Sequence, residues 1–200
     1  MADIIRQKKV LAVEGKDEVN FFDALLKYVE ITDIEIRDVG GKNQFKNKLP
    51  ALVKTSGFSE VEVFAVVRDA DEDANASFRS IKNILKKEGL KPPTQMNKFS
   101  DGKPIVGIYI MPGNSDRGML EDLCLRTVEN HPAIECVSSF IDCVSRLENP
   151  PNNLAKAKAK AFLAAMPELT NSVGIGAKKG YWDFDSDELT DLKSFIDYLR

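Results

Sequence analysis

The chain has 200 residues, a formal net charge of −3 and a sequence pI of about 5.4. This length suits one domain, or one domain with an extension, and the weakly acidic balance argues against strong autonomous binding of nucleic acid. No apolar run approaches the ~20 residues of a membrane span, and the run behind Lys8 and Lys9 is too short for a secretory signal, so we expect a cytoplasmic protein.

The first predicted element is a short apolar strand that runs into an acid and a glycine. Residues 10–13 are apolar throughout, as expected for a strand covered on both faces of a parallel sheet. Glu14 and Gly15 follow, and an amphipathic helix begins at once. Glu14 is therefore expected at the carboxyl end of a strand, where open α/β sheets bind ligands. Asp17 and Glu18 either belong to the same site or only place favourable charges at the helix start.

A second strand is predicted at residues 33–39, where Gly40 and Gly41 end it. Residues 42–56 follow with a helical pattern that Pro50 is expected to interrupt. This segment carries four lysines, which form either a solvated helix face or a rim that faces phosphate. They are Lys42, Lys46, Lys48 and Lys54.

A third, buried strand at residues 61–67 leads into a cluster of acids at Asp69, Asp71 and Asp73. If this strand neighbours the first, Glu14, Asp69 and Asp71 converge at one edge of the sheet. Carboxylates that close repel one another, and a hard divalent cation such as Mg²⁺ removes the conflict. The alternative is that the acids only cap the next helix, although capping needs one acid rather than three. A calcium-binding EF-hand loop is excluded because it lacks the required glycine and final glutamate.

The remainder of the chain predicts one more strand and then helices. Residues 90–103 resemble an irregular loop, residues 105–111 a fourth strand, and residues 171–187 a glycine-rich loop. We therefore expect an α/β fold with a four-stranded parallel sheet flanked by helices in residues 1–117. Residues 118–200 are expected to be a helical extension packed on this core, so that the two parts form one structural unit.

Few other side chains are candidates for chemistry. Cys124, Cys136 and Cys143 fit neither a zinc pair nor a disulfide framework, so we expect reduced structural thiols. The single histidine, His131, is expected in a turn between helices. Lys178 and Lys179 lie in a glycine-flanked segment that could approach phosphate and stabilise developing charge, or could be a surface loop.

An apolar strand ending in Glu-Gly, followed by a later strand ending in Asp-x-Asp, resembles the Toprim domain. Topoisomerases, bacterial primases, overcoming-lysogenization-defect (OLD) type nucleases and a small ribosomal-RNA maturase share this domain. The local sequence Val13-Glu-Gly-Lys-Asp17 is most similar to that of the maturase and OLD branches. The resemblance implies that Glu14, Asp69 and Asp71 bind Mg²⁺, or Mn²⁺ in its place, for phosphodiester chemistry.

The same resemblance extends to two further acids. Asp73 matches the extended acidic motif of some members, and Glu121 resembles the additional acid of OLD-type nucleases. Glu121 would complete a second metal site, or else is a surface acid of a helix. Two-metal catalysis needs more ligands than three carboxylates, so Asp73 and Glu121 are candidates for the additional ligands.

Three functional hypotheses follow. The first is a stand-alone, magnesium-dependent nuclease acting on DNA or RNA through Glu14, Asp69 and Asp71, with Lys178 assisting. The second is a non-catalytic Toprim-like module that binds nucleic acid or a nucleotide, or supports a partner protein such as an ATPase, since no ATPase motif is present here. The third is a phosphatase of the haloacid-dehalogenase kind, which would leave Glu14 without a role.

Overall fold

The computed structural model describes residues 4–200 except the side chain of Lys42, so the expected role of that lysine lies outside the described residues. A five-stranded sheet has the order β2-β1-β3-β5-β4. The strands are β1 (Lys9–Val13), β2 (Ile34–Asp38), β3 (Val63–Asp69), β4 (Lys98–Phe99) and β5 (Ile105–Met111). Strands β2, β1, β3 and β5 are parallel, which confirms the four predicted strands.

The short edge strand β4 is a correction to the expected irregular loop at residues 90–103. It pairs antiparallel with β5, with Lys98 opposite Ile108 and Phe99 opposite Gly107. Two residues of strand are too few to leave an alternating pattern, so the sequence carried no signal for it.

Eight α-helices are found in the described chain. They are α1 (Lys16–Tyr28), α2 (Phe45–Val53), α3 (Ala74–Lys87), α4 (Leu120–Thr127), α5 (Ala133–Val144), α6 (Leu154–Ala164), α7 (Val173–Lys178) and α8 (Thr190–Asp197). Short 3₁₀ turns lie at Lys42–Gln44, Phe58–Glu60 and Asp187–Leu189. None of the helices in residues 4–200 combines the length and apolarity that crossing a bilayer requires.

Each face of the sheet has its own apolar core, because side chains alternate along a strand. On one face Phe64 and Val66 pack with α2 and α3. On the other face Ala65 and Val67 pack with α1 and with the helices of residues 118–200. The C-terminal helices therefore complete a core that the sheet begins.

Helix α2 continues through Pro50, which is a correction to the expected interruption. Proline removes one backbone hydrogen bond from a helix interior. Phe45, Leu49 and Leu52 on the same helix are buried in the α2/α3 core. Their packing outweighs the local cost of the proline, since tertiary contacts supply most helix stability.

The segment expected to be a loop at residues 171–187 contains helix α7. The Ser172 hydroxyl caps this helix by accepting a hydrogen bond from the Ile175 backbone N–H at 3.1 Å. A Cβ at Gly174 would overlap the Asp17 carbonyl and lie 2.6 Å from Asn20 Cβ on α1. One at Gly176 would lie 2.7 Å from Leu163 Cδ2 on α6. These two glycines allow α7 to pack closely against α1 and α6. The loop prediction for this segment was wrong because glycine more often indicates a turn or loop.

The cysteines and the histidine have simple environments. All three cysteines are free; Cys124 is buried, whereas Cys136 and Cys143 are exposed on α5, so only Cys124 is a core thiol as expected. His131 lies in the turn between α4 and α5, where its Nδ1 accepts a hydrogen bond from the Ala133 N–H at 3.1 Å.

We predict that Gly174→Ala destabilises the protein by about 1–3 kcal/mol, the usual cost of overpacking. Alanine normally stabilises a helix relative to glycine by about 1 kcal/mol, but here its Cβ meets the backbone of α1. Urea unfolding measures the change. The control is Gly180→Ala, where the added Cβ meets nothing and only the φ of 71° is unfavourable. A Gly174→Ala variant as stable as wild type would contradict the close packing of α7 on α1.

Candidate metal centre

Two acids end neighbouring strands of the sheet. Strands β1 and β3 pair in parallel, with Ala12 opposite Val66, so Glu14 directly after β1 and Asp69 at the end of β3 lie at the same edge. This is the adjacency predicted from the sequence. It places both carboxylates at the carboxyl ends of central strands.

Asp69 is the buried centre of this edge, with 7% of its surface exposed. Its Oδ1 accepts a hydrogen bond from the Leu120 N–H, at the start of α4, at 3.0 Å. Burial raises the pKa of this carboxyl well above its usual range, and the negative charges of four other acids raise it further. In decreasing order of effect they are Glu14, Glu18, Glu121 and Asp71.

Asp71 is held by its backbone. Its N–H donates to the Gly118 carbonyl at 2.9 Å, and its carbonyl accepts from the Gly118 N–H at 2.8 Å. Its φ is 53°, in the left-handed region that non-glycine residues seldom adopt. Such unfavourable conformations often accompany functional sites. The loop after β3 is thereby clamped to the loop after β5.

Asp73 acts as the N-cap of α3. Its Oδ1 accepts a hydrogen bond from the Ala76 N–H at 2.8 Å, and the residue is exposed. The capping interpretation therefore describes what Asp73 does in this structure. Its role as a metal ligand remains a prediction.

Glu18 and Glu121 bring two more carboxyl groups into the field of Asp69. Burial raises the pKa of Glu18 to about 7, and the charges of Glu14, Asp17 and Glu121 act in the same direction. Burial also raises the pKa of Glu121, against the opposing effect of Lys156, whose Nζ lies 3.8 Å from Glu121 Oε1. The sequence analysis could not decide whether Glu18 belongs to the site, and the structure places its charge among those that act on Asp69. The position of Glu18 four residues after Glu14 was the feature of the sequence that pointed to this.

Asp17 has a structural role in joining α1 to α7. Its Oδ1 accepts hydrogen bonds from the Ser172 hydroxyl and, at 3.1 Å, from the Gly174 N–H. Asp17 lies in the first turn of α1, and its charge raises the pKa of Glu18 and of Glu121, so both interpretations from sequence remain compatible with the structure. Its binding to the start of another helix is a further role that the sequence did not predict.

The two lysines at the end of α7 contact other partners. Lys178 Nζ donates to Asn20 Oδ1 at 2.7 Å and lies 3.2 Å from Asp23 Oδ2, both further along α1 than Glu18. Lys179 pairs with Glu168. Both lysines thus pair with acids outside the proposed metal site, Asp23 and Glu168. The catalytic role of Lys178 stays a prediction.

The donor chemistry and the charge of this edge fit a hard divalent cation such as Mg²⁺, which prefers carboxylate oxygens. Asp69, Glu18 and Glu121 are all pushed toward their neutral forms, and a bound cation would relieve that repulsion. Within residues 4–200, however, no three acidic, histidine or cysteine side chains are already close enough to share a metal ion. A site in which three of these carboxylates share one ion would thus require them to move closer together, whereas Mg²⁺ is commonly held by one or two carboxylates.

Comparisons with known proteins agree with the fold. A family model described as "Protein of unknown function (DUF3226)" matches residues 8–200. The C-terminal region of the Burkholderia pseudomallei OLD protein has 13% sequence identity and a TM-score of 0.50, over 98% of this chain and 100% of that chain. The corresponding region of the Xanthomonas campestris pv. campestris OLD protein, phased with iodine, has 16% sequence identity and a TM-score of 0.50. The match covers 98% of this chain and 97% of that chain.

No curated protein matches the chain. At 13% and 16% identity, the two OLD structures establish similarity of fold. The resemblance to OLD-type proteins drawn from the strand-end acids is thereby confirmed at the level of the fold.

We predict that, in the presence of chelator, the free energy of unfolding falls as the pH rises from about 5 to about 8. The folded pKa values of Glu18, Asp69 and Glu121 lie above their ordinary values, so the folded protein binds more protons than the unfolded chain. Their contribution to stability is complete below the ordinary value of 4.5 for glutamate and is lost as pH rises through the folded value, about 7 for Glu18. Urea unfolding at constant salt measures the slope.

Glu18→Gln tests this assignment, because it removes the charge and keeps the shape. The fall in unfolding free energy across this pH window should shrink by at most roughly 3 kcal/mol, given 1.4 kcal/mol per pKa unit. Glu72→Gln, at an exposed acid of the loop after β3, is the matched control. A stability that rises between these pH values would contradict the prediction.

Proposed function

We propose that this chain, which belongs to the DUF3226 family of proteins of unknown function, is a divalent-metal-dependent nuclease with a Toprim-like fold. The observation that carries the proposal is the gathering of acids around buried Asp69 at the carboxyl ends of β1 and β3. Carboxyl groups whose pKa is raised by burial and by neighbouring charges are typical of functional sites.

In the proposed site, Glu14, Asp69 and Asp71 hold Mg²⁺, or Mn²⁺ in its place. Glu18 and Glu121 are the next candidates because they act on the same buried carboxyl. When bound, such a cation supplies an activated water and stabilises charge on a phosphate. The chain's own contribution is to fix the ligands, through the Leu120 N–H on Asp69 and the backbone pairing of Asp71.

The fold shared with the OLD C-terminal regions supports a substrate with phosphodiester bonds, DNA or RNA. A partner protein such as an ATPase is part of the same proposal, because residues 1–200 carry no ATPase motif.

A non-catalytic module that binds nucleic acid or nucleotide is the second candidate. It is favoured by the separation of the side chains, since no three potential ligands within the described chain meet at one point. A phosphatase of the haloacid-dehalogenase kind is disfavoured. Its Asp-x-Asp motif would follow the first strand of the domain, whereas here it follows β3.

We predict that excess magnesium raises the melting temperature of the wild type relative to chelator. A ligand that binds only the folded state adds about 2.7 kcal/mol at one hundred times its dissociation constant. The response should shrink in Asp69→Asn plus Asp71→Asn, whereas the control Glu72→Gln, at an exposed acid, should keep it. Equal melting temperatures of the wild type in magnesium and in chelator would count against a metal site.

We also predict nuclease activity that depends on magnesium or manganese and is lost in Glu14→Gln and in Asp71→Asn. Each substitution preserves shape and removes one charge from the proposed metal ligands, which should lower the rate by orders of magnitude. Lys178→Ala should lower it less, because the Lys178 ammonium binds Asn20. Cleavage of single-stranded DNA, double-stranded DNA and structured RNA is measured with each metal.

Glu72→Gln controls for loss of an exposed acid near Asp71. Intact substrates together with demonstrated metal binding would favour the non-catalytic module. Unchanged activity in Glu14→Gln would place the reaction elsewhere or reveal a contaminating nuclease.

A further inference from the structure

Arg68 presents a buried donor that has no protein partner. Its Nε is sealed from solvent and makes no hydrogen bond within the described chain. The guanidinium lies over the ring of Phe45, with Cζ 5.1 Å from the ring centroid. An aromatic face stabilises the charge of arginine but leaves its N–H groups unsatisfied. Since buried donors are nearly always hydrogen-bonded, a missing acceptor is expected here.

A second cation lies on the same side of the sheet. The side chain of Lys48, on the first turns of α2, folds back over Gly40, where an added Cβ would lie 3.0 Å from Lys48 Cε. Gly40, which has a φ of 82°, comes two residues after the end of β2. Because the Lys48 side chain lies against Gly40, it is found at the carboxyl end of that strand. Lys48 follows Phe45 by three positions on α2, which places the two on one helix face.

At the carboxyl edge of the sheet, Lys48 and Arg68 lie on one face, and the buried carboxyl group of Asp69 lies on the other. Along β3, Val66 belongs to the α2/α3 core and Val67 to the core on the other face. Alternation therefore directs Arg68 toward α2, where it meets Phe45, and Asp69 toward α4, where it meets Leu120. Because β1 lies between β2 and β3, Glu14 separates the position of Lys48 from that of Arg68.

We propose that Arg68 and Lys48 form an anion subsite that holds a phosphate of a nucleic-acid strand lying across the carboxyl edge of the sheet. The subsite rests on the proposed function in that it names where the substrate backbone would be held. Arginine suits this task because its planar donors match phosphate oxygens, and contacts of this kind position a strand without reading its sequence. Arg68 as a whole is only partly buried, so its terminal N–H groups are the ones that reach the phosphate, while the covered Nε stays against Phe45.

The test is binding of a fluorescein-labelled oligothymidylate by anisotropy in chelator, so that neither metal nor cleavage is needed. We expect Arg68→Ala and Lys48→Ala each to weaken binding by about 10-fold, typical of a lost charged hydrogen bond. Each should also reduce the slope of log affinity against log salt by roughly 0.7, the value per phosphate for single strands. Arg79→Ala, an exposed arginine on α3, is the matched control and should bind like wild type.

Folding of each variant is checked by urea unfolding. If Arg68→Ala is unfolded, Arg68→Lys retains the charge but loses the planar donors, and Lys48 is exposed enough for its alanine variant to fold. Thymidine monophosphate serves as a competitor: competition at matched phosphate concentration shows that the subsite takes a terminal phosphate, and weaker competition that it takes a chain phosphate.

Wild-type-like affinity and salt slope in both Arg68→Ala and Lys48→Ala would overturn the subsite, as would absence of binding by the wild type at low salt. If Arg68→Ala does not fold, wild-type-like affinity in Arg68→Lys takes its place in that outcome. The outcome separates this inference from the proposed nuclease. Binding that depends on Arg68 without any cleavage would contradict the nuclease alone, and cleavage with unaltered strand binding in the variants would contradict the subsite alone.

Discussion

The concentration of negative charge around a buried aspartate is the constraint on which this end of the molecule depends. Asp69 lies under the start of α4 at the end of a central strand, surrounded by acids from three other segments. Such an arrangement costs folding free energy unless protons or a cation neutralise it. The backbone nevertheless fixes it, through the Leu120 N–H on Asp69 and two hydrogen bonds between Asp71 and Gly118.

The helices of residues 118–200 take part in building this edge. The first turn of α4 supplies the N–H that binds Asp69, and it carries Glu121. The start of α7 binds Asp17 on α1, and its glycines allow the two helices to touch. Both α1 and α4 begin at the acidic edge, so their amino-terminal dipoles partly offset the negative charge there. The C-terminal helices therefore hold the site as well as covering the sheet.

The sequence predicted the parallel strands and the adjacency of the two strands that end near Glu14 and Asp69. Apolar runs that end in acids indicate both a buried strand and the place where it ends. It failed where tertiary packing outweighed local signals. Pro50 lies within α2 because its neighbours are buried, and Gly174 and Gly176 permit close helix contacts although glycine usually indicates a loop. The partners of Lys178 and Asp17 could not be predicted, since they depend on how α7 packs against α1.

A crystal structure of the protein soaked in manganese tests the central claim most directly. We predict anomalous density at the carboxyl ends of β1 and β3, bonded to Asp69 and to at least one of Glu14 and Asp71, with the carboxylates drawn together. Density confined to other surfaces at saturating manganese, with the Glu14 and Asp69 carboxylates more than about 10 Å apart and thus beyond any shared site, would contradict it.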